Sequence, residues 1–333
     1  YLYNAHIFLI KMKSLDELCL NTSLSYCYLL LGKKYSDNEN MQEVIELKNN
    51  TITQNNITHN LPKCYSRSFT LMNTNITQPS TFLVHVISFL TILSIIFSIK
   101  KKYTAIGRSE VCYLYYLFAM FVIISVVVEN GVVPPSSELY SLFTIIQLSV
   151  LSGCCITLAL FGLLPFKLWE DGTFGSKFFF KTVSFLLMAI TFSYFYFSLT
   201  KDYELPRFLK KLKSGYNSVI IANYVINGIL ILIFIFSELL TSTVLLKNFW
   251  ILGSLILGLS TFFAGQIFAH FFSTTLCEKS NHYLDGMFPM SIANLITYMM
   301  IYKCWAIATT DDLEFGVNLE SSVEGDEEDS IGI

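Results

Sequence analysis

The stretch TFLVHVISFLTILSIIFSI, residues 81–99, contains no Asp, Glu, Lys or Arg. A bilayer core about 30 Å thick is crossed by a helix of roughly 20 apolar residues, so this stretch predicts a transmembrane helix. Lysines at positions 100–102 follow it directly, and Arg108 comes soon after. Because basic residues beside a span tend to stay in the cytosol, residues 1–80 are predicted to face the lumen.

Further apolar stretches of similar length lie at about 111–128, 139–164, 178–199, 217–240, 250–272 and 289–308. Together they predict an all-α, multi-pass membrane protein, a seven-helix transmembrane bundle with its N-terminus in the lumen and its C-terminus in the cytosol. A hydrophobic content of 53% agrees, because it is too apolar for one soluble globular domain. The basic loop 201–215 opposes this topology, but the cluster after the first span usually sets orientation.

Three parts follow from this topology. Residues 1–80 form a lumenal N-terminal segment with an Asn-rich insertion at 32–60, and residues 81–308 form the bundle. Residues 309–333 hold nine acidic residues and no Lys or Arg. Such a block is typical of a solvated, disordered tail, here on the cytosolic side.

The eight cysteines divide by location. Four lie within predicted spans, at Cys112, Cys154, Cys155 and Cys304, and four lie in lumenal segments, at Cys19, Cys27, Cys64 and Cys277. The lumen is oxidising, so the second group is predicted to form two disulfides, with three connectivities left open. The alternative is a set of free, buried thiols.

Asn-x-Ser/Thr sequons occur only in the N-terminal segment, which agrees with a lumenal location. Asn21, Asn49 and Asn56 are candidate glycosylation sites, whereas Asn75 is expected to lie too close to the membrane.

Charged residues within spans are costly unless they find partners. Glu238 in the fifth span and Lys303 in the seventh are therefore predicted to form an ion pair, the alternative being that Lys303 extends to the interface. Other polar residues in the spans are expected to hydrogen-bond between helices. They are His85, Gln147, Asn223, Asn227, Gln266, His270 and Asn294.

The sequence contains no Gly-rich phosphate loop, no GxSxG, no HExxH and no Cys/His spacing typical of a metal site. The loops are also too short to fold into a soluble catalytic domain. We therefore expect no enzyme, no cofactor, no metal and no nucleic-acid partner.

The segments between spans carry a family resemblance. They are the pair Cys19 and Cys27, LPKCYSRS (61–68), KKYTAIGRSE (101–110), NGVVPP (130–135), LWEDGT (168–173), AGQ (264–266), CEKSNHYLDG (277–286), YKCW (302–305) and TTDDLEFGV (309–317). Read in order, they resemble the fungal chitin synthase export chaperone family. The sequence departs from the family pattern at 32–60, at 201–215 and after Val317.

The resemblance implies a multi-pass protein of the endoplasmic reticulum that helps a chitin synthase of the III type fold or leave that compartment for the cell surface. It implies no catalysis, and it implies the synthase and membrane lipid as partners. Arg108, Glu110, Trp169, Glu170 and Asp171 are then candidates for a cytosolic docking surface or for holding the cytosolic side together.

The tail offers a candidate export signal. Asp312 and Glu314 have the spacing of a di-acidic motif read by vesicle coat proteins, although such spacing arises easily in an acidic segment.

Two other classes share this outline. A seven-span receptor of the G-protein-coupled type is weakened because the third span ends FGLLPFKLWEDG instead of in an acid-Arg-aromatic triplet, and MSIANLITYMMIYK lacks Asn-Pro-x-x-Tyr. A small-solute transporter is weakened by the lack of internal repeats.

Overall fold

The computed structural model describes residue 19 and residues 22–29, 66–71, 74–103, 105–134, 137–166, 173–199 and 220–328, with the backbone alone for 70, 71, 74, 75, 138, 220, 221 and 310–328. Within these ranges the protein is helical apart from an antiparallel ribbon of β1 (Phe69–Leu71) and β2 (Thr74–Ile76). The helices are α1 (Pro79–Lys101), α2 (Arg108–Glu129), α3 (Glu138–Leu163), α4 (Phe174–Leu199), α5 (Asn227–Leu240), α6 (Phe249–Phe271), α7 (Ser273–Lys279) and α8 (Met287–Glu328).

Six helices in the described ranges are long and apolar enough to cross a membrane, and they overlap the first six predicted spans. The prediction of a helical protein with several helices able to cross a membrane is therefore confirmed. The predicted seventh span, 289–308, lies within α8, which continues to Glu328. The sequence predicted an end of the span at residue 308 because the apolar stretch stops there. The helix itself continues, since no proline follows Pro289 to stop it.

Contacts between helices define two ends of the bundle. We call the end at which α1 and α8 begin the disulfide end, because Cys19 and Cys27 lie there. The other end, where α1 turns into α2, we call the Gly107 end. Gly107 has φ 67°, a left-handed backbone conformation that glycine adopts without a steric penalty.

The core lies between α1, α2, α3 and α8. Leu114, Tyr115 and Ile92 are fully buried there. Tyr115 donates its hydroxyl to the backbone carbonyl of Tyr298 at 2.7 Å, so the one polar atom of this ring is paired within the apolar core. This hydrogen bond fixes α2 against α8.

The fifth span is irregular at both ends. π-helical turns at Ile220–Ile226 and Thr241–Leu245 flank α5. In the second turn the N–H of Leu246 donates to the carbonyl of Thr241 at 2.9 Å, five residues earlier. Such turns are rare in proteins overall, but those that occur are frequently found at functional sites.

The helices α6 and α8 approach closely at Gly265. A Cβ atom at this position would lie 2.5 Å from the Cβ of Ala293 and 3.4 Å from the Cα of Met290. Small residues allow such contacts in lipid, where helix association depends on packing and hydrogen bonds.

We expect Gly265→Val to lower the free energy of unfolding by about 1–3 kcal/mol, the usual cost of overpacking. Gly253→Val is the matched control on the same helix, because nothing lies within 4 Å of a Cβ added there. Thermal unfolding of the two purified variants in detergent measures the difference. Equal losses at both positions would contradict close packing at Gly265.

Candidate functional site

A disulfide between Cys19 and Cys27 closes a loop that is fixed to the bundle. We call residues 19–27 the disulfide loop. Both cysteines are buried, and so are Ser23 and Ser25 within the loop. Buried hydroxyl groups are costly without hydrogen-bond partners, so the partners of these serines show what the loop is built to contact.

Ser23 connects the loop to the starts of α1 and α8. Its hydroxyl donates to Asp285 Oδ2 at 3.1 Å, and Gln78 Nε2 donates both to Ser23 Oγ at 2.9 Å and to Asp285 Oδ2 at 2.7 Å. Burial raises the pKa of Asp285, while hydrogen bonds from Ser23 and from the backbone N–H groups of Phe288 and Met287 lower it. The carboxylate therefore also caps the first turn of α8.

Ser25 connects the loop to α3. Its hydroxyl donates to Gln147 Oε1 at 2.8 Å, and its backbone carbonyl accepts the hydroxyl of Tyr140 at 3.3 Å. Next to it, the hydroxyl of Tyr26 is hydrogen-bonded to that of Tyr224, which in turn contacts His270 Nε2 at 3.3 Å. The disulfide loop is thus bonded to helices from both halves of the chain.

Glu129 is the centre of a second cluster, directly beneath the loop. Its carboxylate accepts from Gln147 Nε2 at 2.7 Å and lies 3.1 Å from His85 Nε2. Gln147 Nε2 also donates to Ser125 Oγ at 3.0 Å. The side chains of His85 and Glu129 are only 10% and 11% exposed, so α1, α2 and α3 are joined through nearly buried polar groups.

The loop before α8 is also fixed at the disulfide end. Cys277 is disulfide-bonded, and its partner lies outside the described residues. The backbone N–H of Arg67 donates to the carbonyl of His282 at 2.7 Å, and its guanidinium lies 4.9 Å from the ring centre of Tyr283. The segment that precedes β1 therefore rests on residues 277–286.

At the Gly107 end, the connection between α1 and α2 packs on α8. Trp305 Nε1 donates to the carbonyl of Ile106 at 3.0 Å, and Lys102 Nζ donates to the carbonyl of Ala306 at 3.3 Å. Lys102 Nζ also lies 5.3 Å from the centre of the Trp305 ring. These contacts bring the segment KKYTAIGRSE (101–110) next to the segment YKCW (302–305).

Two of the five predicted docking residues are described. Glu110 is 1% exposed and accepts a hydrogen bond from Ser176 at 2.9 Å, which joins α2 to α4. Its Oε2 atom is buried without a hydrogen-bond partner among the residues that the structure describes. Arg108 is partly exposed, with its guanidinium 5.5 Å from the centre of the exposed Tyr103 ring. Trp169, Glu170 and Asp171 lie outside the described residues.

The predicted ion pair between Glu238 and Lys303 is not formed in the structure. Glu238 is 5% exposed, whereas Lys303 is exposed. Lys303 precedes Cys304, whose Sγ faces Ser254 Oγ at 3.0 Å. Successive residues of a helix point about 100° apart, so Lys303 is turned away from the interior that Cys304 contacts.

The remaining candidates have no described side-chain environment. Asp312 and Glu314 belong to α8, where the backbone alone is described. Cys64, Asn21, Asn49 and Asn56 lie outside the described residues.

Sequence reasoning missed Asp285 and Glu129. Asp285 stands before Gly286 and an apolar run, which is a helix N-terminal signal that could have marked it as a cap. Glu129 directly follows a predicted span, where a carboxylate is normally interpreted as exposed to water. Among the described residues no group of His, Cys, Asp and Glu could hold a metal ion.

Comparison with known proteins identifies relatives along nearly the whole chain. The family described as chitin synthase export chaperone matches residues 11–319. A chitin synthase export chaperone of Saccharomyces cerevisiae is 37% identical over 321 residues, which cover 93% of this chain and 95% of the relative. Proteins of the same name from Kluyveromyces lactis and Candida albicans are 37% and 36% identical, covering 79% of this chain and 82% and 84% of theirs. No solved structure matches the chain.

Proposed function

The chain belongs to the chitin synthase export chaperone family, and from that premise we propose that it is a membrane chaperone required for the folding or export of a chitin synthase. Its client is a synthase of the III type, which it helps to reach the cell surface and so to support cell-wall chitin synthesis. The observation that carries the proposal is the extent of the match, from residue 11 to residue 319. The match includes the contacts at both ends of the bundle, and it favours neither a receptor nor a transporter.

We propose an endoplasmic reticulum location with seven spans, of which residues 289–308 of α8 form the last. The disulfide end is then lumenal, which agrees with disulfide formation in an oxidising compartment. The Gly107 end, with lysines 100–102, is cytosolic, as basic residues beside a span favour. The three parts are accordingly 1–80, 81–308 and 309–333.

Further features of the lumenal side follow from this topology. We propose that Cys64 is the partner of Cys277, which would connect the N-terminal segment to the loop before α8. Asn21, Asn49 and Asn56 would be accessible to glycosylation, and the basic loop 201–215 would face the lumen. Glycosidase digestion of the protein from intact microsomes, alongside variants that lack one sequon each, tests the orientation. A gel mobility that neither digestion nor loss of any sequon changes would count against a lumenal N-terminus.

The proposed action is non-catalytic. A client synthase with several spans has polar groups and unpacked helix faces in the membrane until it assembles, and helix association in lipid depends on packing and hydrogen bonds. A bundle fixed at both ends by hydrogen bonds offers a stable surface against which such spans can rest, together with membrane lipid.

The cytosolic side contributes docking and export. We propose that Arg108 with Trp169, Glu170 and Asp171 contacts the synthase, whereas the buried Glu110 stabilises the bundle. Undiminished recovery of the synthase with charge-reversed Arg108 or Asp171 would remove both from the interface. The pair Asp312 and Glu314 is proposed as a signal for vesicle coat proteins, and a normal exit rate of its double alanine variant would refute this.

The decisive experiment for the function is deletion of the gene with a tagged chitin synthase followed in the same cells. We expect the synthase to remain inside the cell and wall chitin to fall, and we expect the full chain to restore both. Normal delivery of the synthase in the deletion strain would overturn the proposal.

A further inference from the structure

An open groove lies between α3, α5, α6 and α8, with a cavity volume of about 70 Å³. Its walls are apolar and include Leu158, Phe234, Phe262 and Met300, one from each helix. All four residues lie within predicted spans. In a bilayer the groove therefore opens toward hydrocarbon, where part of a lipid chain or an apolar side chain of another helix has to fill it.

Glu238 is an unpaired carboxylate near this groove. It is 5% exposed, and its side chain makes no ion pair or hydrogen bond with any residue that the structure describes. Lys303, the nearby cation that the sequence suggested, is turned outward. A charged side chain within a span is costly without a partner, and such residues commonly mark functional sites.

The position of Glu238 on α5 relates it to the groove. Ile231 and Phe234 line the groove, and Glu238 follows Phe234 by four residues, on the same face of the helix. Glu238 is also close enough to Cys304, another lining residue, for an electrostatic interaction. The carboxylate thus lies about one helical turn beyond the apolar walls, toward the Gly107 end.

The backbone next to Glu238 is irregular as well. The π-helical turn Thr241–Leu245 begins three residues later. Such turns occur frequently at functional sites, and this one ends α5 beside the unpaired carboxylate. The groove, the carboxylate and the π-helical turn are three separate observations at one place.

We propose that this groove binds a transmembrane helix of the client, with a Lys or Arg side chain of that helix paired to Glu238. The inference rests on the proposed function and adds the surface and the chemistry of recognition. A lipid chain would contact the apolar walls but would leave the carboxylate unpaired. A helix with one basic residue contacts the walls and also pairs with the carboxylate. An unassembled span with such a residue is the kind of segment that needs a temporary partner in lipid.

The test places a photoreactive phenylalanine analogue at Phe262 in the full chain, co-expressed with a tagged chitin synthase. The matched control is the same probe at Phe185, an exposed residue of α4 that does not line the groove. We expect cross-links to the synthase from position 262 and not from position 185. Glu238→Gln should reduce them at least tenfold, and Glu238→Asp should retain more of them.

Glu238→Gln preserves the shape of the side chain, and equal protein levels and melting temperatures check that the variant folds. Cross-links from position 262 to phospholipid alone, or to a second copy of this chain, would overturn the proposal. So would synthase cross-links that Glu238→Gln leaves unchanged. If deletion of the gene traps the synthase inside the cell but the probe at position 262 gives no cross-link to it, the groove is refuted as the binding site while the proposed function stands. Normal delivery of the synthase in the deletion strain refutes the proposed function itself.

Discussion

Glu129→Ala is expected to lower the free energy of unfolding by about 3 kcal/mol. The substitution removes the acceptor of two nearly buried donors, His85 at 3.1 Å and Gln147 at 2.7 Å. A buried polar group left without its partner loses the full compensation for its desolvation, and more so where the partner is charged. A titration of unfolding in mixed micelles measures the loss.

The control for this prediction is Glu278→Ala, which removes an exposed carboxylate near the same end of the bundle. It should change the free energy by less than about 0.5 kcal/mol, as surface substitutions usually do. A double-mutant cycle with His85→Ala gives the sharper test, because groups in direct contact couple by about 0.5–3 kcal/mol. Strictly additive losses at His85 and Glu129 would show that the pair is not coupled.

Hydropathy predicted the spans well because the bilayer imposes length and apolarity on any helix that crosses it. It did not predict the end of α8, since the chain becomes acidic after 308 without a residue that stops a helix. It also gave no information on how each helix is rotated about its axis. Lys303 and Cys304 are neighbours, yet one is exposed and the other faces Ser254, and this rotation separates Lys303 from Glu238.

The polar residues within the spans were expected to bond between helices, and several do. His85 and Gln147 meet at Glu129, and Tyr224 contacts His270. Their sequence positions are scattered because the cluster is assembled from α1, α2 and α3. No spacing rule along one helix can find such a cluster.

Four of the segments that carried the family resemblance meet in space as two pairs. Arg67 of LPKCYSRS contacts Tyr283 of CEKSNHYLDG, and Ile106 of KKYTAIGRSE accepts a hydrogen bond from Trp305 of YKCW. Loops that differ widely in sequence position therefore form the two ends of one bundle. This arrangement explains in physical terms why the segments between spans were more informative than the spans, whose apolar residues are largely interchangeable in lipid.

The disulfide loop leads to the second large effect. We expect Cys19→Ser together with Cys27→Ser to lower the free energy of unfolding by about 2.5 kcal/mol, the loop-closure entropy of a bridge across the sequence separation of 8. Residues 22–26 then lose the constraint that holds Ser23 at Asp285 and Ser25 at Gln147. Without the bridge the loop loses more conformational entropy when it packs on the bundle. The hydrogen bond from Ser23 then compensates less for the burial of Asp285.

Cys112→Ala is the matched control, because Cys112 is a free and partly buried cysteine in α2. Two measurements on each variant separate stability from function. One is thermal unfolding in detergent, and the other is the amount of chitin synthase at the cell surface. The double serine variant should melt earlier and should retain part of the synthase inside the cell, whereas Cys112→Ala should do neither. An unchanged melting temperature in the serine variant would mean that hydrogen bonds alone hold the loop. In that case the bridge would add nothing measurable to the free energy of unfolding, and the expected loop-closure entropy would be absent or offset by structure that the reduced, unfolded chain retains.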